Sequence, residues 1–258
     1  MILYHLGLGM GSDPIDPTEL AYLYEGDLKV LPTFATVAPF ETLIGLGAIP
    51  GLEVNPVLIL HGEHRLTIHR PLPVRGKVSN QGRVVDLFDK GKGALLEIEV
   101  VSSDSRGPLF TNRAGVFIRG EGGFGGEAGH GIWPAVPETP PDITLDSPTL
   151  PQQALIYRLS GDKNPLHADP AFAALAGYQR PILHGLSTFG MVCRAAVDHL
   201  GGDPSQVTEF GGRFGGVVYP GETVTTSIWQ GPDGLILSAR VGDRQVFGPA
   251  RCQWGDKV

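Results

Sequence analysis

Four polar side chains that are able to do acid–base chemistry crowd one short loop. The segment SGDKNPLHAD (160–169) contains Asp162, Asn164, His167 and Asp169. A carboxylate and an imidazole are good proton acceptors and donors near neutral pH. Asp162 and His167 are five residues apart and a proline tightens the loop between them, so the two side chains are able to converge on one point. We interpret them as a catalytic pair that holds one water molecule, with Asn164 orienting either side chain.

Three other interpretations of this loop compete. A metal site would use Asp162, His167, Asp169 and His184, but no two histidines stand at the i,i+4 helical spacing. A Ser160–His167 nucleophile pair lacks the G-x-S-x-G elbow. A purely structural turn would have Asn and Asp bonding their own backbone, with Asp169 capping a helix that starts at a proline. We expect no metal, and the structural turn stays open.

A helix that follows the loop offers a second chemical element. The segment HGLSTFGMVCRAAVDHLGG (184–202) carries an apolar stripe at helical spacing, formed by Leu186, Phe189, Cys193, Ala196 and Leu200. The stripe predicts a mostly buried helix in which Cys193 is a core residue. Gly185 stands at its start, where backbone N–H groups are free and carry positive partial charge. We expect this N–H group to bind an oxygen that becomes negative during a reaction.

Bulk properties restrict the function. The chain has 258 residues with a formal charge of −7, which argues against a protein that binds nucleic acid through its phosphates. Two cysteines give neither a disulfide framework nor a C-x-x-C metal motif. No signal peptide, membrane-spanning run or peroxisomal C-terminal address is apparent. We therefore expect a cytoplasmic protein with no membrane span.

Glycine and proline divide the chain. Residues 126–150 are rich in both, and we interpret them as a linker between an N-terminal half (1–125) and a C-terminal half (151–258). Both halves show a proline–glycine turn followed by strands that are joined by a charged tight turn. In ALLEIEVV (94–101), apolar residues alternate with two glutamates, the period of a strand with one wet face. The halves therefore look like copies of one antiparallel unit.

Beyond these patterns, the sequence resembles a known family. YRLSGDKNPLHADPAFAALAGYQRPILHG (157–185) is similar to the hydratase 2 signature of the MaoC-like (R)-specific enoyl-CoA hydratases, and the resemblance continues in RFGGVVYPGET (213–223). The segments 4–35 and 57–78 resemble the N-terminal half of the double hot-dog enzymes of this family, such as the hydratase domain of the peroxisomal multifunctional enzyme type 2. The resemblance covers nearly the whole chain.

This resemblance implies a fold, a reaction and a set of site residues. The fold is α+β: a tandem hot-dog in which antiparallel sheets wrap around a central helix. The reaction is the reversible addition of water to trans-2-enoyl-CoA, giving (3R)-3-hydroxyacyl-CoA. Asp162 and His167 are the implied catalytic pair, Asn164 supports them, and the N–H of Gly185 contacts the thioester oxygen. No cofactor is implied, since the CoA thioester is the substrate.

The first half departs from this pattern. It has LHGEHRLTIHR (60–70) but no D-x-N-P-L-H, and after His61 the chain alternates like a strand instead of starting a long helix. The resemblance implies a non-catalytic half whose reduced helix leaves room for bulky acyl tails. We therefore predict one active site per chain, and we interpret His61, His64 and His69 as structural or surface groups.

The remaining assignments concern substrate contacts, function and partners. We expect CoA or acyl contacts from Tyr157, Arg158, His184, Arg213 and Phe214. The predicted function is hydration of long or bulky enoyl-CoA thioesters, including steroid side chains, in β-oxidation. The alternatives are a hot-dog thioesterase, a dehydratase of carrier-protein thioesters, and a non-catalytic acyl-CoA-binding subunit. Hot-dog units pair along sheet edges, so we expect a homodimer or the same pairing within the tandem chain.

Overall fold

The computed structural model describes residues 1–45, 58–129 and 131–255. Its six short or medium helices in these ranges are α1 (Ile2–Gly7), α2 (Pro17–Leu20), α3 (Phe40–Gly45), α4 (Gln153–Tyr157), α5 (Pro170–Leu175) and α6 (Gly185–His199). Four 3₁₀ helices cover Pro32–Thr36, Arg158–Ser160, Pro165–His167 and Pro204–Gln206. The strands are β1 (Ile59–Ile68), β2 (Ser79–Asp89), β3 (Gly93–Asp104), β4 (Gly107–Arg119), β5 (Ile143–Pro148), β6 (Val207–Phe214), β7 (Thr223–Gly231), β8 (Gly234–Val241) and β9 (Arg244–Trp254).

All nine strands form one antiparallel sheet in the order β2-β3-β4-β1-β6-β9-β8-β7-β5. Counted outward from the central β1–β6 pair, the first half has the order β1-β4-β3-β2 and the second half has the corresponding order β6-β9-β8-β7. This repetition is what a tandem duplication of one hot-dog unit produces. The predicted double hot-dog fold is confirmed.

The long helix α6 fills the concave side of the second half, as its apolar stripe predicts. Phe189, Val192, Cys193 and Ala196 have no exposed surface. Burial raises the pKa of the Cys193 thiol, as expected of a core cysteine and not of a nucleophile. Burying each of the larger apolar side chains of this helix stabilises the fold by about 1.5–3 kcal/mol.

In the first half, short elements lie where the second half has its long helix. The 3₁₀ helix Pro32–Thr36 and α3 pack on the sheet, and β1 begins at Ile59 and carries His61, so the predicted strand after His61 is confirmed. The predicted reduction of the helix also concerns residues 46–57, which lie outside the described ranges. Alternation in β3 is confirmed: Ala94, Leu96, Ile98 and Val100 are buried.

The predicted linker is partly wrong. Residues 143–148 form strand β5, which pairs with β7 from Ile143↔Ile228 to Pro148↔Thr223. Prolines are compatible with this strand because Pro148 is its last residue and the strand lies at the sheet edge. The boundary predicted at residue 151 therefore cuts off an edge strand of the second half.

The glycine-rich segment that leads into the predicted linker is fastened to the first half. The carboxylate of Asp89, at the end of β2, accepts hydrogen bonds from the N–H groups of Gly91, Gly123 and Gly125, each at 2.8 Å. The N–H of Asp89 donates to Glu127 at 2.8 Å. The hydrogen bonds from the glycine N–H groups to the carboxylate lower the pKa of Asp89. The loop therefore returns along β2 before the chain continues to β5.

An ion-pair cluster joins the two halves on the outer side of the β1–β6 pair. The Glu209 carboxylate on β6 accepts from the Nε of Arg65 on β1 at 2.8 Å and from the Nε of Arg251 on β9 at 3.1 Å. The Glu209 side chain is only 7% exposed. Each half contributes one of the two arginines.

Replacing Glu209 is expected to loosen this junction. Glu209→Gln leaves two arginines facing a neutral amide, and we expect a loss of about 1–3 kcal/mol in the free energy of unfolding. Urea titration measures it. Arg106→Gln is the control, since the Arg106 side chain is 68% exposed and 3.4 Å from Asp104, and should cost less than about 1 kcal/mol. Equal effects from both substitutions would contradict a special role for Glu209.

Candidate active site

The loop between α4 and α5 is built by local hydrogen bonds that its residue types dictate. Gly161 has φ 134°, a conformation that favours glycine, and it turns the chain into Asp162. Asn164 caps the 3₁₀ helix Pro165–His167 by accepting from the N–H of Leu166 at 3.0 Å. Asp169 caps α5, with Pro170 at the first helical position, as predicted. The structural-turn interpretation is therefore correct for Asp169.

The expected role of the Asn164 side chain needs a correction. Its amide oxygen caps the short helix that carries His167, so in the described residues it bonds backbone and not the catalytic pair. The backbone N–H of Asn164 contacts the Asp162 carboxylate at 3.1 Å. Asn164 thus orients both groups indirectly, by shaping the loop. The N–H of Leu166 at the start of the 3₁₀ helix competes for the Asn164 oxygen, which explains why this side chain does not bond the catalytic pair.

Two histidines are held beside Asp162 in defined tautomers. The Nδ1 of His167 donates to the carbonyl of Ile182 at 2.9 Å, so its Nε2 is left as an acceptor. The Nε2 of His184 donates to the backbone carbonyl of Asp162 at 3.1 Å. The two imidazoles stack with ring centroids 3.7 Å apart. Asp162, His167 and His184 each offer an acceptor atom within 4.8 Å of the others.

Burial keeps both imidazoles neutral. It lowers the pKa of His167, although the Asp162 carboxylate acts in the opposite direction. For His184, burial and the neighbouring His167 lower the pKa to about 2. A neutral His167 with Nε2 as an acceptor and the Asp162 carboxylate oxygens together are able to hold both hydrogens of one water molecule.

The ring geometry is poorly suited to a metal ion. A bound ion lies close to the plane of each imidazole that ligates it, because the nitrogen lone pair lies in that plane. Rings stacked at 3.7 Å with 26° between their planes do not share such a position. Asp169, the fourth residue of the metal interpretation, uses its carboxylate to cap α5. The three acceptors therefore fit a water molecule better than a cation.

Helix α6 begins next to this group. His184 is the N-cap and Gly185 the first helical residue, so the N–H of Gly185 belongs to the first turn, which has no acceptor within the helix. A Cβ at position 185 would lie 3.3 Å from the ring of Phe214. Glycine therefore lets Phe214 lie directly over the helix start, and Gly185 is exposed.

A narrow cavity beside Asp162 is lined by residues from both halves: Thr36, Val37 and Phe40 from the first, and Tyr157, Ser160, Asp162 and Leu186 from the second. The Tyr157 ring is buried between Tyr4 and His184, with ring centroids at 5.8 and 4.8 Å. Burial raises the pKa of Tyr157 well above its usual value, so it acts as a neutral hydroxyl. An apolar group that enters this cavity has Asp162 at its side.

The other residues expected to contact substrate lie at different positions. Arg158 donates to the carbonyl of Lys163 at 3.2 Å, within the catalytic loop. Arg213 is exposed at the end of β6, opposite Glu63 of β1. Phe214 is half-buried among His61, Phe189 and Phe247. The structure brings Phe214 to the site and leaves Arg213 outside the cavity lining.

Sequence reasoning predicted that the first half leaves room for the acyl group, but it missed the residues through which this half reaches the site. Thr36, Val37 and Phe40 line the cavity, and His61 packs on Phe214 with centroids 4.6 Å apart. The apolar segment around Phe34–Phe40 carries no chemical motif. Only the repeated His-Gly pair, His61-Gly62 and His184-Gly185, marks the two related positions in the sequence.

Comparison with known proteins defines the class first. Residues 1–120 match the MFE-2 hydratase 2 N-terminal domain, and residues 134–237 match the MaoC like domain. The structure of a MaoC-like dehydratase from Phytophthora capsici is 32% identical with a TM-score of 0.87, over 100% of this chain and 92% of that one. The molecule is a MaoC-like double hot-dog protein.

Sequence relatives narrow the class to a family of enzymes. The chain is 46% identical to the enoyl-CoA hydratase ChsH3 of Mycobacterium tuberculosis, over 93% of this chain and 84% of the relative. It is 40% identical to the peroxisomal enoyl-CoA hydratase 2 of Arabidopsis thaliana, over 94% and 84%. The chain belongs to the hydratase 2 family, whose members are hydro-lyases.

Proposed function

We propose that the chain catalyses the reversible hydration of trans-2-enoyl-CoA to (3R)-3-hydroxyacyl-CoA. One observation carries the proposal: a carboxylate oxygen of Asp162 and a ring nitrogen of His167 lie within 4.8 Å of each other, and Asp162 lines a cavity that Leu186 in the first turn of α6 also lines. The family relationship supports the CoA thioester as substrate and the (3R) configuration of the product.

The proposed reaction follows from these positions. The thioester oxygen accepts a hydrogen bond from the N–H of Gly185, which draws electrons from the conjugated double bond. Water held by Asp162 and His167 forms a bond from its oxygen to C3, and the π electrons move toward C2 and the thioester oxygen. The pair takes one proton from the water and returns one proton to C2, where the electron pair of the enolate forms the new C–H bond. One water is consumed and nothing is oxidised or reduced.

We further propose that the acyl group is long or bulky, steroid side chains included, and that the reaction serves β-oxidation. The arrangement of the first half supports this, because its short elements lie where the second half has the long helix α6. No cofactor takes part in the proposed reaction. A homodimer and a cytoplasmic location stay predictions; in the described ranges, no helix is long and apolar enough to cross a membrane.

An ultraviolet assay tests the function directly. Loss of the conjugated thioester absorbance is followed with crotonyl-CoA, a long-chain enoyl-CoA and a steroid enoyl-CoA, and the product is resolved by chiral chromatography. We expect the (3R) product and a higher kcat/KM for the longer acyl groups. A (3S) product, or release of free CoA detected with a thiol reagent, would contradict the proposal, and the second result would favour a thioesterase.

A further inference from the structure

Three polar side chains of the first half, two of them fully buried and His61 partly buried, form a hydrogen-bonded chain behind the candidate site. The Nδ2 of Asn112 on β4 donates to the carbonyl of Ala35 at 3.1 Å, which leaves its Oδ1 as the acceptor for the Nε2 of His64 at 2.8 Å. The Nδ1 of His64 is then an acceptor and contacts the Nε2 of His61 at 3.1 Å. His64 and Asn112 have no exposed surface.

The two ends of this chain lie on opposite sides of the candidate site. At one end, His61 packs against Phe214, and Phe214 lies over Gly185. At the other end, Ala35 belongs to the 3₁₀ helix whose next residue, Thr36, lines the cavity beside Asp162. The chain therefore connects the wall over the helix start with the wall beside the carboxylate.

The sheet does not require these polar groups. Strand β1 is held to β4 and β6 by backbone pairing on both sides, and apolar side chains would pack in the same interior. Buried polar groups cost free energy unless they are fully hydrogen-bonded, and when satisfied they fix one arrangement of their neighbours. Burial lowers the pKa of His61 to about 3 and of His64 to about 4, so both rings stay neutral donors and acceptors.

We propose that His61 is a positioning residue: backed by His64 and Asn112, it holds Phe214 over Gly185 so that the thioester oxygen meets the N–H at the start of α6. The half without the Asp–His pair thereby sets the geometry of the oxygen-binding group. This inference rests on the proposed hydratase function. Because the contact between this oxygen and the N–H strengthens as charge develops, the effect falls on kcat more than on KM.

A double-mutant cycle tests this route. His61→Ala is expected to lower kcat about tenfold with little change in KM, since a displaced oxygen-binding geometry costs about that much or more. Phe214→Leu removes the ring through which His61 acts, so adding His61→Ala to it should have little further effect. His61→Phe, which keeps the ring contact, should recover part of kcat. His69→Ala is the matched control, because His69 is exposed just after the end of β1 and its side chain bonds Thr111.

Two results would overturn the proposal: the same fold-loss from His61→Ala in both backgrounds, or no loss in either. A measurement that needs no turnover distinguishes failure of the positioning role from failure of the proposed hydratase function. With 4-fluorophenylalanine at position 214, the ¹⁹F resonance should shift toward the free amino-acid value in His61→Ala and stay in place in His69→Ala. If the wild type is inactive but the resonance shifts in His61→Ala, the hydratase function is refuted and the positioning role stands. If the resonance does not move, the positioning role is refuted.

Discussion

Asp162→Asn and His167→Gln are each expected to lower kcat for trans-2-enoyl-CoA by about 10²-fold or more. The asparagine keeps an oxygen for the N–H of Asn164 but is a poor proton acceptor. The glutamine preserves a donor that is able to reach the carbonyl of Ile182, yet it cannot exchange protons near neutral pH. Initial rates in the ultraviolet assay measure both effects.

Folding controls separate chemistry from structure in these variants. Each variant should keep the far-ultraviolet circular dichroism spectrum of the wild type and its affinity for butyryl-CoA, a saturated analogue that cannot add water. His199→Gln is the matched control, since His199 is an exposed residue at the other end of α6 and should not change kcat. Turnover near the wild-type level in either site variant would remove Asp162 or His167 from the mechanism.

The second large effect is a loss of stability in mild acid, caused by four histidines that burial keeps neutral. In the fold, burial lowers the pKa of His5 and His64 to about 4, of His61 to about 3 and of His184 to about 2. The unfolded chain binds these protons below pH 6.5, the ordinary histidine value, and the folded chain does not. Their contribution is therefore fully present above pH 6.5 and is lost as the pH falls from 6.5 toward about 4. Each histidine contributes a slope of about 1.4 kcal/mol per pH unit.

Urea titrations between pH 7.5 and 5 measure this slope, in a range above the titration of the ion-paired carboxylates. We expect a total of about 5 kcal/mol per pH unit below pH 6, from four protons. His64→Asn removes one titrating group and should reduce the slope by about one quarter, while His199→Asn should leave it unchanged. A free energy of unfolding that is constant from pH 7.5 to 5 would contradict neutral burial of these histidines.

Local patterns predicted the elements that carry the chemistry. The D-x-N-P-L-H loop and the stripe of α6 are contiguous in the sequence, and their structures depend on turn chemistry and helical spacing within a few residues. The Asp169 cap and the strand after His61 were predictable for the same reason. Family resemblance added the double hot-dog arrangement, which periodicity alone did not give.

Contacts between distant residues could not be predicted in this way. Ala35 and Asn112 are 77 residues apart, and Arg65 and Glu209 are 144 apart. Yet Asn112 on β4 meets Ala35 in a 3₁₀ helix that packs on the sheet, and Arg65 meets Glu209 across the β1–β6 pair. The sequence did not reveal strand β5, because Pro148 and the prolines that precede the strand suggested a linker. At a sheet edge, however, a proline is tolerated. In each case the structure depends on a contact with residues that are distant in the sequence, and the local sequence does not show which residues those are.

The position of α1 has a consequence for how the protein is made on the ribosome. Ser187 of α6 donates to the carbonyl of Gly7, a separation of 180 residues, and Tyr4 packs on Tyr157. Helix α1 therefore waits until α6 has emerged, some 180 residues later, before it reaches its place in the core. At about 5–20 residues per second this delay lasts roughly ten seconds or more, during which the apolar face of α1 needs protection from aggregation.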